Sequence, residues 1–212
     1  MRIFTFVVIC IFISSTISAQ HKGNILLGGS IGFFDYKSDA NGTKNNQTSI
    51  YLNPSFGKFY SKNRMAGINL NYYHSKYRDS LSSNSYGLGI FLRQYQALGK
   101  SFFIFVEENL SASTTKYNDD IISGIPADVK AKQKAVGAYV FPGISYAANK
   151  RLQIEIGLPQ LLSIYYAHQT LNYESVATPI KNKYNVFSAN TGFKNGWIGD
   201  LTFGVRWMIG RN

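Results

Sequence analysis

The sequence predicts an all-β fold, an eight-stranded antiparallel up-and-down transmembrane β-barrel, on three observations. From Gly23 onward the chain divides into eight segments that alternate with period two, and none shows helical periodicity. The breaks between segments are alternately short and long, as in a meander with tight turns at one end and loops at the other. One face of nearly every segment is apolar, while the opposite face carries Gly, Ser and Asn in place of the Lys, Glu and Thr that a strand normally shows to water.

Before the first segment, the chain opens "MRIFTFVVICIFISSTISAQ": Arg2, an apolar run over 3–13, then small polar residues ending at Ala19. This is the layout of a secretory signal peptide, with cleavage expected before Gln20, so residues 1–19 are assigned to the signal and 20–212 to one barrel domain. The run falls well short of the ~20 apolar residues that a membrane-spanning helix needs. Cys10, the only cysteine, lies inside it. The mature chain therefore has no disulfide, no thiolate metal site and no cysteine nucleophile.

The eight segments cover 24–37, 48–60, 65–76, 85–96, 101–113, 135–147, 151–168 and 197–209. Segments two and three, "YLNPSFGKFYSKNRMAGINLNYY" over 51–73, place Leu52, Pro54, Phe56, Ala66, Ile68, Leu70 and Tyr72 on one face. Asn53, Ser55, Gly57, Gly67, Asn69 and Asn71 fall on the other, with a basic turn at 61–64. Segment four sets Tyr86, Leu88, Ile90 and Leu92 against Gly87, Gly89, Phe91, Arg93 and Tyr95. Segment six sets Val136, Ala138, Val140, Pro142, Ile144 and Tyr146 against Gly137, Tyr139, Phe141, Gly143 and Ser145. Segment seven opposes Leu152, Ile154, Ile156 and Leu158 to Gln153, Glu155 and Gly157, and segment eight opposes Phe203, Val205 and Trp207 to Thr202, Gly204 and Arg206.

Short breaks at 61–64, 97–100 and 148–150 read as periplasmic turns, and the polar breaks at 38–47, 77–84, 114–134 and 169–196 read as long extracellular loops. If the apolar face meets lipid, the small polar face fills a narrow lumen, and every backbone group is paired between strands. Tyr72, Tyr86, Tyr146 and Trp207 lie towards the ends of the apolar face, where interfacial aromatics belong. A soluble lipocalin-like carrier of a hydrophobic ligand would turn the same faces the other way, leaving a solvent face with hardly a lysine.

The stretches "NPSFGKFYSKNRMAGINLNY", "GLGIFLRQYQALGKSFFIFVEENL", "FPGISYAANKRLQIEIG" and "LTFGVRWMIG" resemble small outer-membrane β-barrels of the OmpA/OmpX type, in the broad porin-like barrel family. The resemblance implies an eight-stranded barrel inserted into the cell outer membrane from the periplasm, with periplasmic chaperones and the barrel-assembly machinery as partners during insertion. It does not imply an activity. The chain departs from the family in ending beyond Trp207 with Met208-Ile209-Gly210-Arg211-Asn212, and in carrying Glu108 next to Glu107. Alternation puts one of those two carboxylates against lipid, unless a bulge or a position near the membrane edge relieves it.

Arg93, Glu107, Glu155 and Arg206 all fall on the lumen face and are expected to form a charge network, because charges buried in a small barrel must pair. His74 and His168 lie near the loop ends of their segments. An outer-leaflet lipid A-modifying barrel enzyme would recruit His74 with Ser75, or His168 with Ser163 and Glu174, as its catalytic set. No spacing singles them out, so no catalytic residue is assigned. Three separated histidines and no mature cysteine give no metal cluster, and no cofactor is expected.

The net charge is +11 while only 16% of residues are charged. Lys37, Lys44, Lys76, Arg78, Lys116, Lys130, Lys132, Lys134, Lys181 and Lys183 gather at the loop end, where lipopolysaccharide phosphates would meet them. The sequence thus points to a monomeric, non-enzymatic outer-membrane barrel with no nucleic-acid partner. Its strands anchor it in the membrane lipid, and its loops contact ligand or lipopolysaccharide.

Overall fold

A computed structural model describes residues 22–40, 43–77, 81–119, 129–158, 160–173, 180–191 and 201–210. The signal-peptide assignment, Cys10, His21, Arg78 and Glu174 lie outside these residues. Ten strands follow in order: β1 Ile25–Ala40, β2 Thr43–Ser61, β3 Arg64–Tyr77, β4 Leu81–Ala97, β5 Phe102–Asp119, β6 Val129–Ala147, β7 Leu152–Gly157, β8 Leu162–Tyr173, β9 Ile180–Thr191 and β10 Thr202–Ile209. All pairings are antiparallel. β1 to β6 pair in sequence, β6 pairs with β7 and β8, β8 with β9, β7 with β10, and β10 closes on β1 from Ile25↔Ile209 to Gly32↔Thr202.

Ten strands make an eight-membered ring because the last two members are each interrupted. β7 and β8 pair with successive halves of β6, and β9 and β10 pair with β8 and β7 in turn. At the first interruption the register jumps from Gly143↔Gly157 to Val140↔Leu162, so only residues 141–142 of β6 separate the two ladders. Leu158 N–H donates to Pro142 O at 3.0 Å and Leu161 N–H to Val140 O at 2.8 Å, so the chain stays tied to β6 on both sides of the jump. The offset is even in number, and Ile156 and Leu162 therefore remain on the same outward face.

The strands run beyond the boundaries read from the sequence. β1 and β2 stay paired to Ala40↔Thr43, β5 and β6 to Asp119↔Val129, and β9 occupies 180–191, where a loop was expected. Alternation of apolar and polar residues signals a strand only where one side meets lipid and the other does not. Above the membrane both sides meet water, and the signal vanishes although the ladder continues.

Turns at the opposite end are short, as expected. Asn63 sits in the left-handed region with φ 62°, the conformation that a two-residue hairpin loop demands and that Asn tolerates. In the 148–151 turn, Asn149 Oδ1 accepts from Arg151 N–H at 2.8 Å and from Leu152 N–H at 2.9 Å.

The outer face is an apolar belt. Leu27, Ile31, Leu52, Phe56, Ile68, Leu70, Leu88, Ile90, Leu92, Leu110, Ile144, Ile154, Phe203 and Val205 are all between 39% and 58% exposed. In water such a continuous surface would be an aggregation site; around a closed barrel it is a surface for lipid. The soluble-carrier reading, which turns these residues inward, does not describe this chain. Among the described residues no helix is long and apolar enough to cross a membrane, so the crossing is made by strands.

Candidate functional site: a sealed lumen and a basic collar

Alternation along β4, β5, β7 and β10 aims Arg93, Glu107, Glu155 and Arg206 into the barrel, where they are 4%, 8%, 2% and 4% exposed. The structure brings all four together. Glu155 is the hub: its carboxylate accepts from Arg93 Nη1 at 2.9 Å and from Arg206 Nε at 2.6 Å. Arg93 Nε also donates to Glu107 Oε2 at 2.8 Å, Tyr95 OH donates to Glu155 Oε1 at 3.2 Å, and Arg206 Nη1 donates to Ser55 Oγ. Two cations and two anions cancel, which is how the lumen carries charge without an uncompensated ion.

Aromatic rings enclose the same guanidinium. Arg93 Cζ lies 4.3 Å from the centroid of Phe105 and 5.7 Å from those of Phe91 and Tyr95. Two glycines leave room for these rings: a Cβ on Gly67 would stand 2.5 Å from Phe91 Cζ, and one on Gly143 would stand 2.2 Å from Phe105 Cζ. Below, towards the turns, Leu26, Phe59, Met65, Tyr95, Ala97, Phe103 and Met208 pack into a buried apolar plug. The sequence reading set Phe91 and Tyr95 on the lumen face among Gly, Ser and Asn but did not gather the rest of this plug. Its trace is in "SFFIF" at 101–105, an apolar run with no alternation because both faces of the strand end are buried or lipid-facing.

Above the charged floor the lumen opens into a cavity of about 510 Å³, lined by polar side chains such as Ser49, Tyr51, Asn71 and Tyr73 and by apolar ones such as Phe34, Phe105 and Leu201. Hydrogen bonds stitch its wall: Ser49 Oγ to Ser75 Oγ at 2.9 Å, Tyr73 OH to Ser49 Oγ at 3.0 Å, and Tyr51 OH to Asn71 Oδ1 at 3.1 Å.

The outer face changes character within one register step at the loop end. The row Leu88↔Ala112↔Val136↔Tyr166↔Phe187 is apolar. The next row upward is Tyr72↔Tyr86↔Thr114↔Lys134↔His168↔Asn185, and the one above it is His74↔Asn84↔Lys116↔Lys132↔Thr170↔Lys183. Tyr72 and Tyr86 touch with ring centroids 5.3 Å apart at this border, while Tyr146 packs on Phe102 at 4.8 Å near the turns, where Trp207 is also exposed. Lys116 and Lys132 face each other directly across the ladder, a like-charge pair that is unfavourable unless an anion lies between them. Among the described residues no carboxylate forms an ion pair with Lys116, Lys132, Lys134 or Lys183.

The histidines do not assemble a catalytic set among the described residues. His74 points outward, where its Nδ1 lies 2.9 Å from Asn84 Oδ1, whereas Ser75 points inward and bonds Ser49. His168 is likewise outward, 2.8 Å from Asn185 Oδ1, while Ser163 is buried on the lumen side. A two-residue period sends neighbours to opposite faces, so neither histidine can reach its proposed nucleophile. Glu108 is exposed on the lipid face between Leu92 and Val140, and the β4–β5 ladder passes it without a register shift. The bulge considered for it is absent.

No family model and no curated protein matches the chain. Among solved structures, the outer membrane protein OprG from Pseudomonas aeruginosa is similar over 92% of this chain and 100% of its own, at 15% identity and TM-score 0.52. Neisserial surface protein A covers 88% and 97% at 13% identity and TM-score 0.47. A major outer membrane protein from Thermus thermophilus covers 89% and 100% at 10% identity and TM-score 0.48. The chain folds as a small outer-membrane β-barrel. Its apolar belt, closed ring and aromatic borders are those of a barrel that crosses a membrane with its strands.

Proposed function

We propose that this protein is a non-enzymatic barrel of the cell surface whose outer collar docks on the phosphates of lipopolysaccharide. The observation that carries this reading is the Lys116–Lys132 pair, flanked by Lys134 and Lys183, in the first rows above the apolar belt. That height is where lipid headgroups lie. Each lysine near an anionic membrane surface adds roughly 1 kcal/mol, and a phosphate between two of them removes their mutual repulsion. The long hairpins above the collar then stand clear of the membrane for contacts with the cell's surroundings.

The test is binding of the refolded protein to vesicles containing lipid A or dephosphorylated lipid A. Phosphate-dependent, salt-sensitive binding is expected, falling about fivefold for each of Lys116→Gln, Lys132→Gln and Lys183→Gln. Equal affinity for the two lipids would rule the collar out as a phosphate site. A change in lipid A mass on incubation would restore the enzyme reading.

A further inference from the structure

The cavity above the charged floor is a cup with a built interior. It is sealed below by the ion-paired cluster and the apolar plug, so its mouth is at the loop end. The charged side chains lining it, Arg93, Glu107, Glu155 and Arg206, are tied to one another and sum to zero. The rest of the wall mixes neutral hydroxyls and amides with the apolar side chains of Phe34, Phe105, Tyr139, Phe141, Leu158 and Leu201. Among the described residues one amide oxygen on this wall, Asn69 Oδ1, is buried without a hydrogen-bond partner. It sits over a hollow made by Gly89, where a Cβ would stand 2.2 Å from Asn69 Oδ1 and 2.9 Å from Asn109 Oδ1.

We propose that this cup binds a neutral, hydroxyl-rich small molecule of mono- to disaccharide size. A charged ligand would be desolvated against a wall with no spare counter-charge, and a purely apolar one would strand the amides and hydroxyls. Ligand hydroxyls match Asn, Ser and Tyr, while the C–H faces of a sugar ring match the Tyr139 and Phe141 rings. About 510 Å³ lies within the range of small-molecule sites. Because the floor is closed, the ligand enters and leaves by the loop end, which makes the cup a capture site and not a conduit. This site is separate from the lysine collar.

Saturation-transfer NMR on the refolded chain in deuterated phosphocholine micelles tests this, with maltose as probe and gluconate and glucosamine as charged comparators. Transfer to maltose is expected in the wild type and in Lys116→Gln/Lys132→Gln, falling at least fivefold in Asn69→Leu/Asn109→Leu. Ser111→Phe, which fills the cup from β5, gives the same expected loss and serves if the double variant fails to fold. No transfer to maltose in the wild type overturns the proposal. So does transfer that survives both cup substitutions, or stronger transfer to either charged comparator.

Discussion

Glu155 holds two arginines, Arg93 and Arg206, inside a barrel with no water-like surroundings to replace it. Glu155→Leu should destabilise the protein by about 3–5 kcal/mol, because an uncompensated cation is left behind. Pairing it with Arg206→Leu should recover a large part of that loss, and urea unfolding in micelles measures both. Glu108 is the opposite case, a carboxylate that the ladder sends to lipid with Val106 and Leu110 on either side along β5. Glu108→Leu should stabilise the barrel by roughly 1–2 kcal/mol in the same assay. Both residues were placed by counting in twos. The four lumen charges could be set on one face from the sequence, but which oxygen meets which nitrogen depends on how far β7 and β10 slide against β4, and local pattern does not carry that offset. The Phe91 and Phe105 rings around Arg93 were hidden for a related reason, since the hollows that admit them belong to Gly67 and Gly143 on other strands.

At the scale of elements, β2 to β6 were legible wherever one face touched lipid, and illegible above it. β9 illustrates the limit: "IKNKYNVFSANT" carries a lysine or asparagine at almost every second position and reads as loop, yet it pairs with β8 from Leu162↔Thr191 to Tyr173↔Ile180. The stretch that follows Gly157 has the opposite character. Alternation suggested one strand over 151–168, and the register jump between Gly157 and Leu162 splits it. Across β5 and β6, Lys132→Glu should turn the Lys116–Lys132 repulsion into a favourable cross-strand pair of about 0.2–1 kcal/mol. The same change should weaken binding to lipid A vesicles. A gain in stability with unchanged lipid binding would separate the collar from its proposed role.

For the whole molecule, the plug and the charged floor close the turn-end half of the lumen, and the cavity lies on their loop side. The wild type should therefore show no stable conductance in a planar bilayer, and Phe59→Ala/Tyr95→Ala/Phe103→Ala should open an ion path. Wild-type conductance would mean that the floor moves. Lumen, collar and cup all require that the apolar face meets lipid and the Gly, Ser and Asn face meets the lumen. Single cysteines from Tyr86 to Arg93, in a chain whose one native cysteine is Cys10, would carry spin labels in a bilayer to measure it directly. The barrel predicts that labels at 86, 88, 90 and 92 collide with oxygen dissolved in lipid, while those at 87, 89, 91 and 93 do not. Even positions shielded from oxygen, with odd positions open to a water-soluble nickel chelate, would contradict it.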